Sequence, residues 1–251
     1  NGTGPVNSLT VRGVRRHTYH QAVSLWFGSF FGVSRAEPAA AARATIDQRI
    51  YGFRPVGDYV AVPMVPLLTP DNLAWPSGAP ASAGTLPDNY TIDPRTRVVA
   101  AGPDGIGEIT LQAPLSGGSV PAGQASYWMW LLGGTTNFPW LAAQVRIGLE
   151  PIDLTAVGGQ IALGTDGTVV YPAAGAPDVT QADLLVTALL TTRGQKRIWP
   201  VGRIETVAGQ PSYRVTGFVG GCVVDCTRNS NSLNIVVQGS TIQTCTGLLR
   251  T

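Results

Sequence analysis

The sequence predicts an α+β chain in which strands dominate, with antiparallel hairpins arranged as a sandwich behind a small N-terminal strand–helix–strand unit. Three observations point there. Gly 31 and Pro 19 stand beside many Thr, Ser and Val, with only 13% charged residues, a mixture that favours strands joined by turns. Strand-like runs recur on either side of short glycine-containing turns. Helical patterning is confined to three short stretches. With 251 residues, 44% of them hydrophobic, the chain can bury roughly 70–75% of its unfolded surface, so a true core is expected and disorder is not.

Three zones follow one another: an N-terminal unit over residues 1–50, a proline-rich connection over 51–94, and a β-rich domain over 95–251. In the first zone Val6-Asn7-Ser8-Leu9-Thr10-Val11-Arg12 alternates as a strand does. Residues 22–33 form a short, almost wholly apolar segment. Its Leu25, Trp26, Phe27, Phe30 and Phe31 are apolar all round a helix, which marks an element buried on several sides or docked on another subunit. Residues 35–50 are rich in alanine, which by composition alone reads as helix.

In the second zone Pro55, Pro63, Pro66, Pro70, Pro76, Pro80 and Pro87 deny the backbone any long helix. A meandering path with short strands such as residues 59–62 is expected, and residues 71–89 read as an exposed loop. From about Arg95 hairpins are expected: residues 97–100 with 108–112 around Asp104-Gly105, residues 161–163 with 168–171 around Asp166-Gly167, and residues 202–207 with 212–216 around Ala208-Gly209. A last hairpin runs over 217–238 with its tip at Arg228-Asn229-Ser230-Asn231. Between them, residues 180–190 suit a helix capped by Asp178 or Thr180, with Ala182, Leu184, Leu185, Ala188 and Leu189 as its apolar face. Residues 141–148 suit another.

Charge and motifs exclude several function classes. Lys+Arg 17 against Asp+Glu 15 leaves a net +2, and Lys196 is the only lysine. No basic face suited to nucleic acid is visible; clusters such as Gln195-Lys196-Arg197 read as solvated strand edges. No Gly-x-Ser-x-Gly elbow occurs, and His17 and His20 have the wrong spacing for a metal-binding helix. Asp104, Asp166 and Asp178 read as turn and cap residues, not as members of a carboxylate pair. We therefore expect no enzyme, no cofactor and no metal. The longest apolar stretches, residues 22–33 and 127–134, fall short of the ~18 residues that span a bilayer.

The three cysteines, Cys222, Cys226 and Cys245, all lie near the C-terminus. In an extended strand, at about 3.3 Å per residue, Cys222 and Cys226 sit too far apart to bridge. Either one paired with Cys245 is the disulfide expected in an oxidising compartment. Among the tryptophans, Trp128 and Trp130 belong to a run apolar on both faces and read as core. Trp75, in the proline-rich loop, reads as exposed and joins the five apolar residues above as an interface candidate.

The residues Pro5-Val6-Asn7-Ser8-Leu9-Thr10-Val11, an arginine pair, Val23-Ser24-Leu25-Trp26-Phe27-Gly28-Ser29-Phe30-Phe31-Gly32-Val33 and the Ala39 to Ala44 run resemble the TadG-like proteins of the Tad (Flp) pilus-assembly system. The phrases Gly105-Ile106-Gly107-Glu108-Ile109, Gln144-Val145-Arg146-Ile147-Gly148-Leu149 and Tyr213-Arg214-Val215-Thr216-Gly217-Phe218-Val219 resemble the long planctomycete form of that family. So do Asp153-Leu154 with Gly158-Gly159, and the stretch from Gly194 to Pro200.

The resemblance implies that residues 35–50 are a strand, with which Pro38 agrees. It also implies an exported structural protein, a minor pilin or pilus-associated subunit in the periplasm, at the cell surface or secreted. Its partners would be other pilus or cell-surface subunits or further copies of itself, and a membrane would be reached only through a pilin-like N-terminal helix that this sequence lacks. Two alternatives stand beside it: a carbohydrate-binding surface module using Trp75 and Tyr90, and a viral or phage jelly-roll coat protein.

Overall fold

The structure is a computed structural model. It describes residues 8–14, 23–24, 35–36, 39–45, 50–57, 60–75, 86–121, 124–129, 137–172, 175–207, 210–242 and 246–249. The chain divides into two compact units, Asn1–Arg49 and Ile50–Thr251.

In the first unit β1 (Ser8–Val14) pairs antiparallel with β4 (Ala39–Thr45) through seven residue pairs, from Ser8 opposite Thr45 to Val14 opposite Ala39. The alanine run is thus extended. Two-residue strands β2 (Val23–Ser24) and β3 (Arg35–Ala36) pair inside that frame. Leu25, Trp26, Phe27, Phe30 and Phe31 lie outside the described residues, as do His17 and His20.

The second unit is predominantly β. In chain order its strands are β5 (Ile50–Phe53), β6 (Leu67–Pro70), β7 (Tyr90–Ile92), β8 (Val99–Ala101), β9 (Glu108–Pro114), β10 (Tyr127–Trp128), β11 (Ile161–Ala162), β12 (Val169–Pro172), β13 (Lys196–Val207), β14 (Gln210–Arg228), β15 (Ser232–Ser240) and β16 (Gly247–Leu249). The main sheet has the order β10-β6-β13-β14-β15-β9, with β12 on β14, and curls into a half-barrel. Its edges meet at one point, where the Ser126 N–H donates to the Gln112 carbonyl at 2.8 Å. All neighbours are antiparallel except β6 with β13.

Strand alternation loads both faces of this sheet. Leu67, Trp128 and Trp199 enter one buried cluster, while their neighbours Leu68, Met129 and Ile198 enter another. The first cluster is completed by β9 residues Ile109, Leu111 and Ala113, by β15 residues Leu233, Ile235 and Val237, and by two helices. Helix α1 (Phe138–Ile147) is capped by the Asn137 side chain, which accepts from the Trp140 N–H. Helix α2 (Val179–Thr191) carries a full capping box between Asp178 and Gln181. Its buried face is Ala182, Leu185, Ala188 and Leu189; Leu184, expected on that face, is 43% exposed. The second cluster draws Phe53, Val62, Met64 and Leu68 from the proline-rich segment.

Two expected hairpins form, β13 with β14 and β14 with β15, the latter closed by the Asn229 side chain accepting from Asn231 and Ser232. Two others do not. β8 pairs with β7 and β9 with β15, so Asp104-Gly105 joins strands that do not pair with each other. Around Asp166-Gly167 the chain does turn tightly, the Gly164 N–H meeting the Thr168 carbonyl, but β11 then joins β5 and β12 joins β14. Turn residues specify a reversal, and the partner that buries more apolar surface decides the pairing.

Candidate functional site

A cleft of about 530 Å³ lies between the β7–β8 hairpin and the turn that opens β13, with β14 and β15 behind it. Carboxylates hold the hairpin over the sheet by gripping backbone amides. Glu108 accepts from the Asn89 and Tyr90 N–H groups at 2.8 and 3.1 Å, and Asp88 accepts from those of Asp104 and Gly105 at 3.0 and 2.8 Å. The Gln238 amide donates to Asp104 at 3.0 Å, and the Tyr90 hydroxyl donates to Asp225 at 3.2 Å. Glu108 is only 2% exposed, and burial pushes its carboxyl pKa up in spite of its two N–H donors.

The hairpin's own turn is tied by Asp93, whose carboxylate accepts from Arg95 at 2.8 Å and Thr96 at 3.1 Å. These bonds hold its pKa below the usual aspartate range. The turn closes through Arg97, whose φ of 62° is the left-handed conformation, the one such non-glycine residue among those described. Glycine usually fills that position. The Arg97 carbonyl rests on Gly194, where φ is 72° and any Cβ would collide with that oxygen. The hairpin tip is thereby packed directly on the turn before β13.

Arg197, expected at a solvated strand edge, is instead 6% exposed. Its guanidinium donates to the Arg146 carbonyl at 2.6 Å, at the C-terminal end of α1, and to Gln195 at 3.1 Å. Both partners are neutral. Burial, together with the nearby Arg97, presses its pKa down. Lys196, Ser240 and Cys222 line the same cleft.

The cysteines separate because of a β-bulge. Between Val223 and Asp225 the β14–β15 register shifts by one, leaving Val224 without a partner. That inserted residue reverses the alternation, so Cys222 faces the cleft while Cys226 enters the core between sheet and helices. Both are buried free thiols, raised by burial, Cys226 to about 12. Cys245 lies outside the described residues.

Trp75 is not the exposed ring that the loop reading expects. It is half-buried, its indole N–H donates to the Gly220 carbonyl at 2.9 Å, and its ring stands 6.1 Å from that of Trp199. Trp199 in turn donates to the Gly221 carbonyl at 3.2 Å. A Cβ on Gly221 would crowd both rings as well as Val237, and one on Gly220 would strike the Ser240 carbonyl, so Gly221 is what admits the two tryptophans and Gly220 the close approach of the chain at Ser240. A Gly-Gly pair inside a strand is the sequence signal for such a close approach. Tyr90 is likewise engaged, its hydroxyl donating to Asp225 at 3.2 Å.

Among the described residues no group of three or more His, Cys, Asp or Glu is placed to hold a metal, and no helix is long and apolar enough to cross a membrane. Compared with protein-family models, curated proteins and solved structures, the chain shows no match.

Proposed function

We propose that this chain is a structural subunit of an exported assembly, of the TadG-like kind, working through protein–protein contact and not through a reactive centre. The observation that carries this reading is the pairing of β1 with the alanine-rich β4 across the apolar segment, inside a unit of its own. Strand, apolar segment and alanine-rich strand come in the order that the resemblance to TadG-like proteins implies. The segment between β2 and β3 contains Leu25, Trp26, Phe27, Phe30 and Phe31, the residues that would dock on a neighbour.

The test is photocrosslinking in the native host, with a crosslinker placed at Trp26 or Phe30. Adducts with pilus-assembly or cell-surface subunits are expected, and Leu25→Asp should abolish them while the second unit stays folded. Adducts confined to cytoplasmic proteins would overturn the reading, as would unchanged crosslinking in Leu25→Asp.

A further inference from the structure

We propose that the cleft beneath the β7–β8 hairpin is a carboxylate-binding site, in which Arg97, Lys196 and Arg197 hold one carboxylate of a small acid or of an acidic peptide segment. Three cations and two carboxylates, Asp93 and Asp104, line the cleft. The two acids are already served: Asp93 by the Arg95 and Thr96 N–H groups, Asp104 by the Ile106 N–H and the Gln238 amide. The cations are not. Ion pairs between described residues, Arg214 with Glu205 and Arg228 with Asp183, lie elsewhere, and the bonds of Arg197 go to a carbonyl and an amide.

Arg97 and Lys196 are exposed and Arg197 alone is desolvated, with its Nε left without a partner; a bound carboxylate offsets the cost of that buried charge with charge-assisted hydrogen bonds. Arg97 adds an independent pointer. A left-handed arginine stands where glycine would be unstrained, and strain of this kind collects at binding sites. Because Asp93 and Asp104 face the same space, a single negative charge suits it better than a phosphate dianion. The site lies wholly within the second unit and is independent of the role assigned to the N-terminal unit.

The whole chain, at low salt, is titrated with four probes: sodium acetate, sodium phosphate, the blocked peptide acetyl-Gly-Glu-Gly-amide and its glutamine counterpart. Binding is followed by calorimetry and by the arginine Nε–H resonances. Acetate and the glutamate peptide should bind saturably, with the glutamine peptide about tenfold weaker or more. The glutamate peptide binding far more tightly than acetate would mark a partner segment as the source, and equal affinity a free acid; both support the site.

Arg97→Gly and Lys196→Met should each weaken carboxylate binding by about tenfold with unchanged circular dichroism. Arg197→Met is a third variant, read only if it keeps the native spectrum. Equal binding of the glutamate and glutamine peptides, inorganic phosphate binding more tightly than acetate, no saturable binding of either carboxylate, or indifference to both Arg97→Gly and Lys196→Met would each overturn the proposal.

Discussion

Arg97 shows how a single residue can carry a cost that its neighbours enforce. The Asp93 carbonyl, which accepts from the Arg97 N–H, and the Gly194 contact hold it at a φ of 62°, where a Cβ costs roughly 1 kcal/mol or more relative to glycine. Arg97→Gly should therefore raise stability by about 1 kcal/mol, read as a higher denaturant midpoint at constant slope. Cys222 and Cys226 make a second residue-level prediction. With burial holding both thiols protonated, alkylation of the native protein followed by peptide mass mapping should leave both unmodified until denaturant is added. Glu108 makes a third, through pH. Its folded pKa lies above the ordinary 4.5, so folding favours the protonated form, and its contribution is present below that pH and lost as pH rises through the folded value. The stability of Glu108→Gln relative to the native chain should thus increase as pH rises from 4.5 and level off above the folded value. Asp93 and Asp166 run the other way. Their folded pKa values lie below 3.8, so the stability they lend is present above that value and fades as pH falls through the lowered ones.

At the scale of elements, helix α2 illustrates a local rule that holds unaided. Asp178 and Gln181 exchange two hydrogen bonds around the first turn, so Asp178→Ala should cost about 1 kcal/mol of stability in thermal or chemical unfolding. The strands illustrate the opposite. Alternating residues and turn signals marked β13, β14 and β15 well, because each of these strands pairs with its sequence neighbour. They misassigned the partners of β8, β9, β11 and β12, because those strands pair across the fold. The bulge at Val224 is beyond alternation altogether: one inserted residue sends Cys226 to the face opposite Cys222, and nothing in the string Cys-Val-Val-Asp-Cys announces it.

For the whole molecule, the core clusters described here are drawn entirely from the second unit, beginning at Phe53. Residues 50–251 expressed alone should unfold in one cooperative step, with Trp199 and Trp75 fluorescence changing together with far-ultraviolet circular dichroism. Separate transitions for the two probes would show that the first unit is needed to complete the fold. The candidate site belongs to this scale too. Arg97 and Arg197 are far apart in sequence, and the cleft exists only because Glu108, Asp88 and Gln238 draw the β7–β8 hairpin down over the sheet.

Composition, alternation and capping residues were enough to establish a strand-dominated chain, both helices and the two sequential hairpins, because those features follow from contacts between residues close in sequence. Long-range packing alone decided that the sheet curls, that Trp75 turns inward over Gly220-Gly221, and that Arg197 is buried while Lys196 stays exposed. A strand's period says which residues share a face. Which face is covered, and by what, is settled only when the distant segments arrive.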